Sequence, residues 1–390
     1  MHAPTTSLEA AALTPVRATS LMVGAGVGAG IMAVPFLADR VGLPGLLLIL
    51  VAAYAAATYI HLMLVEVLLR TGQPLQIIEL MRLWVLDGPG RRPLLWLVFT
   101  LLTVAFVAVL AAYVAAEAEI VSDATGLPPA VAQLLVYLLS AGVVAFGLRA
   151  VGIFETVGVL ALIGCVLALG VGALKEGPQL ALVVQGSPTD ALALFGMVMY
   201  GYYAFFSVPQ VVKGLAPDGR AAARSVAAGL ALNGLFIAVV AMVALGISQP
   251  VTEVAIIGIA ERLGPWAGGL GAAFVFAALL TSYWAVSLAL ADIIGERTGI
   301  GFRPSWLLAT LPSLLLLYLG AMGFLDWLQL AAGLTAIVIA LVTVPMYLHA
   351  RRGGAVRDPA WSLGRWGHPL FLGLAVLATV LMAAGSLLEA

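Results

Sequence analysis

Uninterrupted apolar runs recur along the whole chain, near residues 16–38, 45–69, 94–121, 128–148, 151–174, 190–213, 222–247, 265–294, 304–322, 325–349 and 367–388. A helix needs about 20 apolar residues to cross a hydrocarbon core about 30 Å thick, and each run is of that length. The breaks between them are short and leave no polar stretch for a soluble domain. With 63% apolar residues against 9% charged, the chain has too few polar side chains to cover a water-facing surface. The sequence therefore predicts an all-α integral membrane protein with eleven transmembrane helices. Two breaks, 70–93 and 248–264, mix apolar and charged residues and predict interfacial helices. The first run lacks a small-residue cleavage site and leads into a Pro-containing segment, so it is read as a retained span and not a signal peptide.

Eleven spans impose an alternation of sides. With a cytoplasmic N-terminus, all of the 18 Lys and Arg residues except Arg40, Lys175 and Arg262 fall in inner loops or at inner helix ends. One miscounted span would scramble this bias, so it supports both the count and the orientation, and it puts the C-terminus outside. A bacterial or archaeal plasma membrane is the expected location. The net charge of −1 points to no nucleic-acid partner, and the single Cys165, inside an apolar run, reads as packing. An enzyme is not expected: no H-E-x-x-H, G-x-S-x-G or phosphate-binding G-x-x-x-x-G-K-[ST] occurs, and His2, His61, His349 and His368 are scattered.

The first span contains GAGVGAGIMAVPF, Gly24 to Phe36. Gly24/Gly28 and Gly26/Gly30 each make a G-x-x-x-G pair, which by itself is a packing seam. At 100° per residue, however, the two pairs face nearly opposite sides of a helix, and one seam does not need both. Glycine on all sides, followed by Pro35, predicts a backbone that leaves helical geometry. That is tolerated at membrane depth only beside protein or a wet cavity. The sixth span, LFGMVMYGYYAFFSVPQVVKG, has Gly196 and Gly201, and its Val208-Pro209 echoes Val34-Pro35. Five spans separate the two breaks, so two five-span halves would have opposite orientations. Paired breaks in an inverted repeat are a pointer to a transporter site near the bilayer midplane. The expected repeats are about 16–174 and 190–349 within a core of 1–350, with an inner loop and the eleventh span over 351–390.

GAGIMAVPF in span 1, and TSYWAVSLALADIIGE in span 8, resemble signatures of the amino acid–polyamine–organocation superfamily, and within it of the bacterial tyrosine and tryptophan permeases. AAYV at Ala111 to Val114 and GLRAVGIFE at Gly147 to Glu155 are weaker echoes. The resemblance runs from about residue 18 to 350. It implies a leucine-transporter-like five-plus-five fold with helices 1 and 6 broken, and secondary active import of an amino acid, aromatic or otherwise neutral, by proton or sodium symport. It also implies that the substrate carboxylate rests on N–H groups around Gly28, Ala29 and Gly30, where span 1 restarts. The ammonium would meet carbonyls near Tyr200, Gly201 and Tyr202. A coupling ion would take carbonyls near Gly24 and Val27 and the hydroxyls of Thr281 and Ser282, an oxygen-only set suited to a hard cation. No cofactor is implied beyond such a bound sodium ion. Tyr113, midway along span 3, is a candidate to cap the carboxylate.

Glu117 lies one turn beyond Tyr113, near the expected end of span 3. A carboxylate inside a span is costly and hence a functional candidate, here for proton coupling, although near the end it can also snorkel to water. His61 and Glu66 read as structural hydrogen-bonding groups, Glu155 beside Arg149 and Asp292 beside Arg297 as ion pairs, and Asn233 as an interhelical hydrogen bond. Two alternatives stay open: a membrane amino-acid sensor that transports nothing, and a transporter of another small organic or cationic solute on the same fold.

Overall fold

The structure is a computed structural model that describes residues 12–28, 30–248, 250–252, 255–319, 339, 342–386 and 388. Among these residues every regular element is helical. The first expected span is two helices, α1 (Pro15–Gly26) and α2 (Gly30–Val41). Spans two to five are α3 (Leu43–Thr71), α5 (Arg91–Thr125), α6 (Pro129–Val144) and α7 (Leu148–Lys175), with the short α4 (Ile77–Trp84) in the first expected interfacial segment. The sixth span is again two helices, α8 (Pro188–Gly201) and α9 (Val208–Gly214), joined through a 3-10 turn at Phe205–Ser207. Then come α10 (Gly219–Ile247), the short α11 (Ala255–Leu263) in the second interfacial segment, α12 (Pro265–Thr298) and α13 (Phe302–Leu319). The expected tenth span lies mostly outside the described residues; its end is helical over 342–353 (α14). The last helix is α15 (Pro369–Ser386).

Counting α8 with α9, 8 helical segments among the described residues are long and apolar enough to cross a membrane. α6 is shorter at 16 residues, and α1 and α2, at 12 residues each, reach across only as a pair. Their ends follow local chemistry. Thr14 accepts the Arg17 N–H and precedes Pro15; Ser187 and Asp190 form a reciprocal cap ahead of α8; Asp218 accepts the N–H groups of Arg220 and Ala221. Each satisfies donors that a first helical turn leaves without partners. At their C-termini α5 and α12 stop at glycines in the left-handed conformation, Gly126 (φ 72°) and Gly299 (φ 75°). Both helices run past the apolar stretches that announced them, because Ser122–Asp123 and Glu296–Arg297 continue the helix with polar residues.

The surface is inverted relative to a water-soluble protein. Leu48, Leu138, Leu160, Leu167, Leu370 and Val380 stand exposed around the perimeter, while Glu66, Glu117, Glu155, Asn233, Thr281 and Ser282 are buried. An apolar perimeter of this extent fits lipid and not water. Inside it, α2 packs on α8, and α1 packs on α7, α10 and α12, so the two broken spans lie side by side at the centre.

Candidate functional site

The helical ladder of span 1 ends at Val27, whose N–H still donates to Val23 O at 2.8 Å. The Gly28 N–H instead turns back to Gly26 O (2.9 Å), and Ile31 N–H reaches Gly28 O (3.3 Å) as α2 begins. The carbonyl of Gly24, which would have taken the Gly28 N–H in a continuing helix, is taken by span 8. Ser282 Oγ lies 2.8 Å from Gly24 O and 3.2 Å from Val27 O, and its hydroxyl donates between the two. Three of the expected coupling-ion residues are thus brought together around one hydroxyl. Thr281, the fourth, bonds back to Ala278 O at 3.0 Å, and its methyl group abuts Gly158 of α7.

The glycines of the break face different neighbours, which accounts for their appearance on every side of the helix. A Cβ on Gly24 would overlap Glu155 Oε2 on α7, and one on Gly26 would overlap Asn233 Nδ2 on α10. A Cβ on Gly28 would meet Ser282 Oγ at 3.4 Å and the Tyr113 hydroxyl at 3.6 Å, ordinary contact at the edge of a cavity. Ala29 lies outside the described residues, and Gly30 opens α2.

At the second break α8 unwinds through Tyr202 N–H to Met199 O (3.2 Å) and Tyr203 N–H to Tyr200 O (2.9 Å). The Ala204 N–H donates to Tyr202 O at 3.0 Å and also approaches His61 Nε2 at 3.3 Å. Because a backbone N–H can only donate, Nε2 accepts, and the His61 Nδ1–H donates to Ala57 O at 2.7 Å. His61 is therefore the structural hydrogen-bonding group expected, tying the break to α3. The Val-Pro echo between the two spans is not geometrically equivalent: Pro35 is inside α2, whereas Pro209 lies in the first turn of α9.

Between the breaks lies a cavity lined by Ala25, Gly26 and Gly28 of span 1, Phe106, Val109 and Tyr113 of α5, Tyr200, Tyr203, Ala204, Phe206 and Ser207 of span 6, and Ala285 and Val286 of α12. Five of these thirteen residues are aromatic: the Tyr200 and Tyr203 rings stack at 6.1 Å and 22°, and Phe106 meets Phe206 edge-on at 4.8 Å. Among the expected substrate-binding residues, Gly28, Tyr113 and Tyr200 line this cavity. The Gly201 carbonyl points toward Gly26, and Tyr202 turns away, its hydroxyl donating to Leu50 O at 3.3 Å. Phe106, Val109, Ala285 and Val286 were not anticipated. Their signal was helical spacing: Phe106 and Val109 precede Tyr113 by two turns and one, and Ala285 and Val286 follow Ser282 by one.

The ionisable residues differ from expectation. Glu117 is not a snorkelling group: α5 continues to Thr125, and Glu117 is fully buried, with Oε2 accepting from Ser140 Oγ at 3.3 Å and Oε1 without a partner. Glu155 makes no pair with Arg149; it is fully buried, and both its oxygens lack hydrogen-bond partners. Asp292 pairs with Lys213 (3.7 Å) and not with Arg297, which reaches Glu79 at 3.3 Å. Neighbours in sequence were displaced by partners from other helices because a helix points residues five or six apart to different faces. Glu66 is a structural anchor, accepting from Arg70, Arg351, Tyr347 and the Leu363 N–H at 2.7, 3.1, 3.2 and 2.8 Å. Asn233 Nδ2 donates to Met22 O at 3.3 Å, the interhelical bond expected.

This architecture resembles that of solved transporters. MHP1, a nucleobase-cation-symport-1 family transporter solved closed with bromovinylhydantoin bound, superposes with a TM-score of 0.62 at 13% identity, over 96% of this chain and 90% of its own. MhsT in complex with L-phenylalanine superposes with a TM-score of 0.60 at 16% identity, over 97% and 100%. At such identities the likeness establishes the fold, which is leucine-transporter-like with broken first and sixth spans. A comparison with curated sequences returned no match. The tryptophan/tyrosine permease family matches over residues 14–384, nearly the whole chain, in agreement with the resemblance carried by GAGIMAVPF and TSYWAVSLALADIIGE. The chain belongs to the tryptophan/tyrosine permease family.

Proposed function

We propose that this protein imports a neutral amino acid, aromatic in the first instance, by secondary active transport driven by a proton or sodium gradient. The observation that carries the reading is the aromatic-walled cavity placed between two interrupted helices. Interrupted helices present backbone charge where side chains have none. The start of α2 at Gly30 gives the positive end of a helix dipole to a carboxylate, with Tyr113 and Gly28 beside it. The end of α8 at Tyr200 and Gly201 gives the negative end to an ammonium, Tyr202 being turned elsewhere. The side chain of the substrate then lies among Phe106, Tyr200, Tyr203 and Phe206, where ring contacts favour an aromatic group. MhsT, of like fold, was solved with L-phenylalanine, and MHP1 belongs to a cation-symport family.

The Gly24 and Val27 carbonyls with the Thr281 and Ser282 hydroxyls form the candidate sodium site, and Glu117 is the candidate for a proton-coupled route. The repeats about 16–174 and 190–349 rock around the two breaks. The N-terminus faces the cytoplasm and the C-terminus the outside of the plasma membrane, a reading supported by the distribution of Lys and Arg. The test is uptake of radiolabelled tryptophan, tyrosine and phenylalanine into proteoliposomes under imposed pH or sodium gradients. Concentrative uptake of at least one is expected. Stabilisation by an amino acid with no uptake under either gradient would identify a sensor instead, and uptake of only a non-amino-acid solute would replace the substrate class.

A further inference from the structure

Glu155 faces the first break from α7. Its carboxylate lies against the Cα of Gly24, and a methyl group there would collide with it, which explains glycine at position 24 independently of backbone conformation. Among the described residues neither oxygen has a hydrogen-bond partner and no basic group forms an ion pair with it. The charged groups on the elements packed around α7 are Arg17 on α1, Lys213 on α9, Arg220 and Arg224 on α10 and Asp292, Glu296 and Arg297 on α12, with Arg149 and Lys175 on α7 itself. The Arg17 stem passes Gly152, one turn away, and Lys213 pairs with Asp292. None of them forms an ion pair with Glu155. A charged carboxylate sealed in a low-dielectric interior without compensation is strongly unfavourable, so its charge is neutralised there either by a proton or by a bound cation.

The groups around Glu155 indicate which. Gly24, against which the carboxylate lies, has its carbonyl directed at Ser282, which also holds Val27 O. Thr281 turns its methyl group to Gly158, one turn along α7 from Glu155, and its hydroxyl, now on Ala278 O, joins the set only by rotating about χ1. Resting on the transport reading above, we propose that Glu155 is the anionic ligand of a monovalent-cation site at the span-1 break. The other oxygens come from the Gly24 and Val27 carbonyls and the Ser282 and Thr281 hydroxyls. An all-oxygen set suits a hard cation. One carboxylate gives a single negative charge, which a monovalent ion neutralises and a divalent ion overcompensates; among the described residues no cluster of three acidic, His or Cys ligands offers more. The site draws on α1, α7 and α12, so the cation fastens the broken span to two unbroken helices, and its departure frees span 1 to move.

Sodium titration of the purified full-length protein tests the inference, with choline chloride holding ionic strength constant. Thermal unmasking of the buried Cys165 thiol reports unfolding. Sodium is expected to raise the wild-type midpoint. Glu155→Gln keeps the shape without the charge, so its apparent sodium affinity falls by about tenfold or more, while its midpoint without sodium is no lower than wild type. The loss of sodium affinity is the result that a purely structural or protonated carboxyl would not give. Gly24→Ala, which displaces the carboxylate while leaving it charged, is expected to weaken sodium binding similarly; if Glu155→Gln does not fold, this variant decides. Wild-type sodium affinity in both variants overturns the proposal. So does a wild-type midpoint indifferent to sodium, lithium and potassium but raised by an amino acid, which leaves the transport reading standing. A midpoint indifferent to cations and amino acids alike, with no uptake into proteoliposomes, removes the transport reading and the inference with it.

Discussion

Gly26 and Gly28 stand two residues apart at the first break, yet the structure separates their roles. A Cβ on Gly26 would overlap Asn233 Nδ2 and come within 3.1 Å of the backbone Gly201 O, so the Asn233 side chain must move. Gly26→Ala must therefore displace Asn233, breaking its bond to Met22 O and leaving a buried amide and carbonyl without partners. Overpacking costs about 1–3 kcal/mol and an unsatisfied buried polar group about 1–3 kcal/mol more. The gain in helix propensity returns at most about 1 kcal/mol, so a net destabilisation of about 2–4 kcal/mol is expected. Gly28→Ala meets only ordinary contacts at 3.4 and 3.6 Å, and its effect on stability should stay within about 1 kcal/mol. Gly28→Leu extends the same side chain into the cavity between the breaks. It should fold and lose amino acid affinity by about 100-fold, because the added carbons occupy the place of the carboxylate. Thiol-dye thermal scans and equilibrium binding of the amino acid found by uptake measure the two effects separately. Both glycines line the cavity, but only Gly26 is also packed against α10; a Gly26→Ala protein as stable as wild type, or Gly28→Leu binding with normal affinity, would refute that distinction.

Glu66→Ala leaves Arg70, Arg351, Tyr347 and the Leu363 N–H without their shared acceptor and should destabilise the protein by about 3–5 kcal/mol, read as a lower unfolding midpoint. Joint replacement of Thr281 and Ser282 by alanine should abolish sodium dependence of uptake; unaltered dependence would make the pair structural. Glu117→Gln retains an acceptor for Ser140 but cannot titrate, so an altered pH profile of uptake at normal expression is expected if it carries the coupled proton. An unchanged profile and substrate ranking would reduce Glu117 to a packing group. Phe206→Ala removes a ring from the cavity wall and should weaken aromatic substrates by about tenfold more than small aliphatic ones in competition assays.

The membrane-spanning character and the two helix breaks were legible in the sequence. Each depends on interactions within one segment: apolar length against bilayer thickness, and the local preferences of glycine and proline. The apolar pattern stopped short of the true ends of α5 and α12, because it registers the hydrocarbon-facing stretch and not the polar turns beyond it. Ser282 was singled out by its motif as a cation ligand beside the Gly24 and Val27 carbonyls, and in the structure its hydroxyl bonds to both of them.

Side-chain partners were decided by tertiary structure. Glu155 lies within two helical turns of Arg149 in sequence, yet helix packing turns its carboxylate to Gly24 on another helix. The alternating glycines announced a distorted backbone; only the fold shows that Gly24 accommodates α7, Gly26 accommodates α10 and Gly28 borders the cavity. Five aromatic residues from Tyr200 to Phe206 likewise covered all sides of span 6, until unwinding after Gly201 sent Tyr200, Tyr203 and Phe206 into the cavity and Tyr202 toward α3. Local preferences are properties of a segment and are written in its residues. Which side chains share a buried space depends on the rotation and approach of several helices at once, and that is settled only when they pack.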